Sequence, residues 1–191
     1  GETRRTYELN LAFMKDVLSR GLLVRRINIR QVIPFPDTRM GNIGNKVIKK
    51  NRRVFAVYKE KMRNEVDLPM LRRIVPTGTV LRRARTEAHD GKSTLARQIG
   101  TYPLLIEIPD AIPLNTWFDF VVVNHGYRSV TGIPFPLNLN TASLRLISSL
   151  PKISQRETSD LLRRLPIKSL DQLSAILSKE TREAIKDMIR V

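Results

Sequence analysis

The densest pattern of chemically active side chains in the sequence is a run of cations on a predicted helix. Five fall within eight residues: Lys46, Lys49, Lys50, Arg52 and Arg53. Like charges three and four residues apart destabilise an isolated helix by about 0.2–0.5 kcal/mol per pair. A bound polyanion offsets this repulsion, because each neutralised phosphate releases counterions. The pattern therefore predicts a nucleic-acid contact, with a solvated basic face as the alternative.

A second group combines arginines with aromatic rings in a region of predicted short strands. Its members are Arg82, Arg83, Arg85, Arg97, Tyr102, Tyr127 and Arg128. Arginine side chains neutralise phosphates, and aromatic rings stack on unpaired bases. For the two tyrosines, both in predicted turns, base stacking and core packing stay open. The apolar strand containing Trp117, Phe118 and Phe120 predicts core packing for those three rings.

Catalytic groups are sparse. His89 and His125 have nearby carboxylates in Asp90 and Asp119, the composition of an acid/base pair. Histidines in turns are more often structural, and no residue spacing marks a nucleophile or a metal cage. The absence of cysteine excludes disulfides, thiolate zinc sites and cysteine-ligated iron–sulfur clusters from this chain. We predict no catalytic residue and no metal site here.

The formal net charge of +16 favours a polyanionic partner. Residues 41–75 hold ten cationic and three acidic side chains, which is nearly half of the excess positive charge. No apolar run approaches the roughly 18 to 20 residues of a membrane span, and no leader-like segment opens the chain. We therefore expect a cytoplasmic location.

The elements that would position these groups form an α+β fold in four segments. Residues 1–45 predict an αβ unit, with a helix over 6–19, a left-handed cap at Gly21 and a strand over 24–32. Residues 46–76 predict a basic helical connector, in which the cationic side of the helix includes Lys59, Lys61 and Arg63. Residues 77–136 predict strands at 79–89, 94–99, 104–108, 117–123 and 128–133. Five short strands in this length favour a small closed β-barrel of the OB kind, which commonly binds oligonucleotides.

The fourth segment, residues 137–191, predicts a helical bundle. Helices are expected over 140–149, 154–162, 169–177 and 180–189, with tight proline turns at Pro151 and Pro166. Such pairs are similar to helix-hairpin-helix modules, and Lys152 and Arg156 are the nucleic-acid contacts predicted there. A protein-docking module is the alternative, with core packing the default for the apolar stripe.

The order of these parts resembles the C-terminal portion of archaeal-type radical SAM proteins. Gly1-Glu2-Thr3, the following helix and the segment Arg30-Gln31-Val32-Ile33-Pro34-Phe35-Pro36-Asp37-Thr38 resemble late α/β units of the radical SAM barrel, although Asp37 stands where the family has glycine. Residues 98–103 and 124–131 resemble a following β domain, similar in placement to TRAM. Residues 136–143 and 150–154 resemble the entry and hairpin of a helix-hairpin-helix module.

This resemblance implies that the chain holds RNA or DNA for an upstream radical SAM active site. The family's [4Fe–4S] cluster and S-adenosylmethionine would then belong to the upstream part, because the three-cysteine motif is absent here. Lys152 and Ser154 replace hairpin glycines that would let backbone N–H groups approach a phosphate. A non-enzymatic RNA- or DNA-binding protein and a protein-interaction scaffold are the competing interpretations.

Overall fold

A computed structural model describes residues 3–24, 27–101 and 103–191. The chain divides into two compact units, Gly1–Ile74 (unit 1) and Val75–Val191 (unit 2). The described part of unit 1 is helical, whereas unit 2 combines a five-stranded sheet with further helices. The predicted α+β fold is therefore confirmed.

The described residues of unit 1 form four α-helices. They are α1 (Arg4–Ser19), α2 (Arg39–Ile43), α3 (Lys46–Met62) and α4 (Leu68–Ile74). Gly21 adopts the predicted left-handed conformation after α1, with φ of 77°. A π-helical turn (Arg63–Asp67) joins α3 to α4, so the chain is continuously helical from Lys46 to Ile74.

The strand predicted for residues 24–32 is wrong for the residues that the structure describes. Residues 22–24 and 27–35 form neither helix nor strand, while Arg25 and Arg26 lie outside the described residues. A strand needs a neighbouring strand to satisfy its backbone groups, and the described part of unit 1 offers only helices. Of the apolar residues of this segment, Val32 is 61% exposed, as is the following Ile33 at 68%, whereas Val24, Ile27 and Ile29 are half-buried.

Helices α1 and α3 pack together through aromatic rings. Tyr7 is buried, and its ring centre lies 5.0 Å from that of Tyr58 and 6.1 Å from that of Phe55. Met62 and Val66 are also buried, which extends the core of unit 1 into the π-helical turn. This packing fixes which side of α3 faces away from the core.

Five strands of unit 2 lie close to their predicted positions. They are β1 (Val80–Asp90), β2 (Ser93–Gln98), β3 (Leu105–Ile108), β4 (Trp117–His125) and β5 (Ser129–Pro134). Neighbouring strands follow the order β1-β2-β3-β5-β4, and β4 also pairs with β1, so the sheet closes into a barrel. Among the described strand pairs of this barrel, only β3–β5 is parallel.

The barrel interior is apolar and tightly packed. Ile106, Ile108, Phe120 and Ile133 are fully buried in it. Gly132 lies against two of these side chains, and a β-carbon at this position would come within 2.6 Å of the Ile106 side chain. Inward positions alternate with outward ones along β1 and β2, which places the arginines of these strands outside.

The remainder of unit 2 is mainly helical. It contains β6 (Leu137–Asn138), α5 (Leu144–Ser148), α6 (Gln155–Arg163), a 3₁₀ helix (Leu170–Ala175), α7 (Lys179–Ile185) and β7 (Ile189–Arg190). The parallel pairing of β6 with β7 ties the end of the described chain to the segment leaving the barrel. The Asn140 side chain further joins the tail by exchanging two hydrogen bonds with the Ile167 backbone, at 2.9 and 2.7 Å.

Candidate nucleic-acid interface

Helix α3 presents the cationic residues that the sequence singled out. Lys46, Lys49, Lys50, Arg52 and Arg53 are all exposed. Among the described residues, none of the five makes an ion pair. Lys46, Lys49, Lys50 and Arg53 also share the helical spacing that places side chains on one face. The structure therefore brings these cations together in water, where phosphates can reach them.

Arg63 does not belong to this exposed face. It is buried at the start of the π-helical turn and pairs with Asp67. Its guanidinium also donates a hydrogen bond to the Ile27 carbonyl oxygen at 3.4 Å. The prediction that groups Arg63 with the exposed cations is therefore wrong, because this guanidinium is committed to holding the fold of unit 1.

On the barrel, a row of three outward side chains crosses strands β2, β1 and β4. Arg97 pairs in register with Arg85, and Arg85 pairs in register with Trp117. Opposite residues of paired strands have β-carbons about 4.5–5.5 Å apart, so these three side chains are neighbours. Trp117 is 45% exposed, which contradicts the prediction that it packs in the core. Its strand is exposed at this first residue: Phe118 is half-buried, and the four residues from Phe120 to Val123 are buried.

The arginines of this row are held by short polar contacts. Arg85 donates to the Asn115 side-chain oxygen at 3.0 Å, and Arg97 pairs with Glu87. These contacts orient both guanidinium groups on the outer surface of the barrel. The row thus combines two cations with an indole, the composition that grips a phosphate backbone and stacks a base.

Arg82 and Arg83 lie nearer the start of β1 than Arg85 does, at a β-bulge between Leu81 and Ala84. Arg83 has φ of 51°, and its backbone N–H donates to the Asp119 carboxylate at 2.8 Å. The same carboxylate pairs with Arg82 at 3.1 Å. Both arginine side chains are exposed, but the charge of Arg82 is already balanced by Asp119.

The predicted contact residues Tyr127 and Arg128 lie in the loop between β4 and β5. Strand β3 runs parallel to β5 from the pair Leu105 and Ser129, so the loops preceding these strands lie at the same end. Tyr127 is 49% exposed and Arg128 is also exposed. Tyr102 lies outside the described residues. Ile99, at the start of the β2–β3 loop, is 85% exposed.

The two histidines make structural contacts. Nδ1 of His89 lies 3.2 Å from the Thr94 hydroxyl, and Nε2 of His125 lies 2.6 Å from the Val75 carbonyl oxygen. Asp119 is occupied by Arg82 and the Arg83 N–H, so it forms no hydrogen bond with His125. Both imidazole rings are therefore placed to hold neighbouring turns together through hydrogen bonds.

The hairpin turn of the tail, residues 149–154, differs from α3 in having its charges balanced. Lys152 pairs with Glu180 at 2.9 Å, and Arg156 lies 3.8 Å from Asp160. Lys152 has φ of 66°, the conformation that glycine adopts most readily. The backbone thus keeps a glycine-like turn although a lysine occupies it.

Glu157 already accepts the backbone donors near this turn. The N–H of Ser154 donates to its carboxylate at 2.8 Å, and the N–H of Ser178 donates at 2.7 Å. Partial burial alone would raise the pKa of Glu157. The two backbone amides, with the hydroxyls of Ser154 and Thr181, outweigh burial and lower that pKa to about 2. These N–H groups, which could otherwise bind an anion such as a phosphate, are therefore already occupied by the Glu157 carboxylate.

The described residues contain no cluster of histidines and carboxylates that could hold a metal ion. Among the helices of the described chain, none is both long and apolar enough to cross a bilayer.

No known protein family matches the chain, and no solved structure matches it. It is similar to an uncharacterized protein of Archaeoglobus fulgidus, with 42% identity over 180 residues, which is 94% of this chain and 33% of that protein. It is also similar to an uncharacterized protein of Methanocaldococcus jannaschii, with 40% identity over 134 residues, 69% of this chain and 25% of that protein. The chain thus spans a third or less of the length of these archaeal relatives.

Proposed function

We propose that this chain is the nucleic-acid-binding region of a radical SAM protein that modifies or repairs RNA or DNA. The observation that carries the binding half of the proposal is the group of five exposed α3 cations without an ion pair among the described residues. Each phosphate contact releases counterions, so such a group binds a polyanion strongly at low salt.

The topology of unit 2 supports an OB- or TRAM-like barrel. Five strands close in the order β1-β2-β3-β5-β4, as expected for a small Greek-key barrel whose outer face and loops bind oligonucleotides. The row of Arg97, Arg85 and Trp117 lies on that outer face. A backbone grip and a stacking ring on one surface favour a single strand as the ligand.

The helical tail supports a degenerate helix-hairpin-helix module. Helices α5 and α6 flank a tight turn in which Lys152 takes a left-handed conformation. With the Ser154 N–H bound to Glu157, this module contributes packing and little phosphate binding.

The catalytic half of the proposal rests on the resemblance of residues 1–38 to late units of the radical SAM barrel. Exposed apolar side chains of unit 1 are consistent with a surface that packs against further protein, and they include Leu9, Phe13, Leu22, Leu23, Val32, Ile33, Phe35 and Ile43. In this proposal the cluster and S-adenosylmethionine are bound outside this chain, since it has no cysteine.

A salt titration tests the binding half. The full chain is mixed with labelled single-stranded RNA, single-stranded DNA and duplex DNA, and fluorescence anisotropy is recorded over a range of KCl. We expect log affinity to fall linearly with log salt, by about 0.7 units for each phosphate contacted on a single strand. A flat response, or no binding, would overturn the nucleic-acid function and favour the interaction scaffold.

The catalytic half needs a longer protein. Anaerobic reconstitution of the full-length Archaeoglobus fulgidus relative with iron and sulfide should give iron–sulfur absorbance and cleavage of S-adenosylmethionine. This chain alone should give neither, because a thiolate ligand is needed. If the relative also forms no cluster, the non-enzymatic binding protein becomes the preferred function.

A further inference from the structure

A groove between α1 and α3 has the lining of a binding site for an aromatic anion. Its volume is about 310 Å³, which lies within the usual range for small-molecule sites. Helix α1 contributes four lining residues spaced i, i+3, i+4 and i+7, which lie on one face of that helix. Helix α3 contributes the lining residues opposite them. The lining residues used below are Tyr7, Val57, Tyr58, Arg4, Arg53 and Lys61.

The floor of the groove is apolar and aromatic. Tyr7 is buried and its ring packs against that of Tyr58, so the floor of the groove is formed without a ligand. Val57 on the groove wall is 53% exposed, although it lies on the α1-facing side of α3. An apolar side chain left open beside a tyrosine ring is a surface on which a flat ring can lie.

The rim of the groove is cationic. Arg53 and Lys61 are exposed and make no ion pair among the described residues, while Arg4 pairs with Glu8 at 2.9 Å. The rim therefore carries three positive charges and one negative charge. Arg53 is also a member of the basic face of α3, so the groove opens onto the predicted phosphate path.

We propose that this groove holds one unpaired base of a bound single strand, while Arg53 and Lys61 contact the phosphates flanking that base. This inference rests on the proposed nucleic-acid function and adds to it a contact with a base in unit 1. The charge of the rim favours a nucleotide over an uncharged apolar side chain. An acidic protein segment is the competing occupant, and the test below separates the two.

The test compares two ligands of equal charge. One is a single-stranded thymidine oligonucleotide, and the other is an abasic oligonucleotide of the same length. We expect the full chain to bind the thymidine strand about tenfold more tightly or better, because a stacked base contributes strongly and both strands carry the same phosphates.

Two variants then locate the contact. Val57→Lys fills the groove wall with a cationic stem, whereas Leu9→Lys adds the same residue at a similarly exposed position on α1 that does not line the groove. We expect Val57→Lys to lower the ratio of the two affinities by about threefold or more, without weakening the abasic strand. Leu9→Lys should leave the ratio unchanged. Thermal unfolding of both variants checks that unit 1 stays folded.

Cross-linking gives a readout that does not depend on a variant. A strand containing a photoreactive thiolated base should cross-link to the tryptic peptide of residues 54–59, which contains Val57 and Tyr58. Equal affinities for the two strands, or a ratio unchanged by Val57→Lys, would overturn the base site while nucleic-acid binding stands. Failure of both strands to bind would instead overturn the proposed function itself.

Discussion

The cations of helix α3 and the cations of unit 2 differ in what surrounds them. In α3, Lys46, Lys49, Lys50, Arg52 and Arg53 have no ion-pair partner within the described chain. In unit 2 the predicted contact residues are mostly balanced: Arg82 by Asp119, Arg97 by Glu87, Lys152 by Glu180 and Arg156 by Asp160. The number of cations in a region therefore does not by itself determine its affinity for a polyanion.

The two regions therefore differ in the kind of contact that each can make with a nucleic acid. A paired cation must exchange its carboxylate for a phosphate, so it gains less from binding than a solvated one. The α3 cations should consequently dominate the dependence on salt. The barrel instead offers the exposed Trp117 ring, whose stacking energy hardly depends on salt. The two regions can therefore be told apart by how each responds to mutation.

The largest effect should come from neutralising α3. Changing Lys49, Lys50, Arg52 and Arg53 together to Gln should weaken binding by about a hundredfold or more and lower the log–log salt slope by about 3 to 4 units, because four phosphate contacts are lost. Salt titrations by anisotropy measure both quantities.

The matched comparison neutralises Lys152 and Arg156 in the tail. Two charges can lower the slope by at most about 2 units, so the loss is divided by the number of charges removed. We expect a smaller loss per charge in the tail, since both side chains already have carboxylate neighbours. An equal or larger loss per charge there would show that pairing and the missing glycines do not matter.

The next effect isolates the barrel. Trp117→Ala should weaken single-strand binding by about tenfold and leave the salt slope unchanged, because a stacking ring is lost and no charge is removed. Trp117→Phe serves as the control that keeps a ring at this position. A change in slope, or an equal loss for duplex DNA, would show that the ring acts through the fold of the barrel and not through a base.

Local patterns in the sequence were sufficient to predict several features of this fold. The five strands of the barrel and the helix after Thr3 could be located because alternation, turn residues and caps act within a few residues. The exposure of the α3 cations could be predicted for the same reason, since the apolar side of the helix marks its opposite face.

Features that depend on distant partners were not predictable in this way. The segment 24–32 has the composition of a strand, but the described part of unit 1 supplies no neighbour for it. Trp117 looks like core in an apolar run, and its exposure follows from where β4 enters the barrel. The burial of Arg63 depends not only on its helical neighbour Asp67 but also on the distant Ile27, whose approach only the packed chain determines.

A smaller effect tests whether Glu157 occupies the donors of the tail. Glu157→Gln should destabilise the chain by about 1–2 kcal/mol at neutral pH, because a charged acceptor of a capping box is lost. The pKa of Glu157 falls from 4.5 to about 2 on folding, so its contribution is present above pH 4.5 and is lost as the pH falls towards 2. Denaturant unfolding should therefore show the difference between wild type and variant shrinking between these pH values. A difference independent of pH would mean that the charge of Glu157 contributes nothing.

The smallest effect removes one carboxylate from the tail without touching a cation. Glu180→Gln frees Lys152, whereas Asp171→Asn removes one charge from a residue that makes no ion pair among the described residues.

If pairing is what keeps Lys152 from contributing, Glu180→Gln should steepen the salt slope by up to about 1 unit, and Asp171→Asn should steepen it less. The exposed pair itself is worth only about 0–1 kcal/mol, so the fold should tolerate either change. If Lys152 contributes nothing even after Glu180 is neutralised, then its position on the hairpin, and not its ion pair, keeps it from the nucleic acid. In that case α3 and the tail would differ in whether a phosphate of the bound nucleic acid lies near their cations, because freeing a cation strengthens binding only where a phosphate is close.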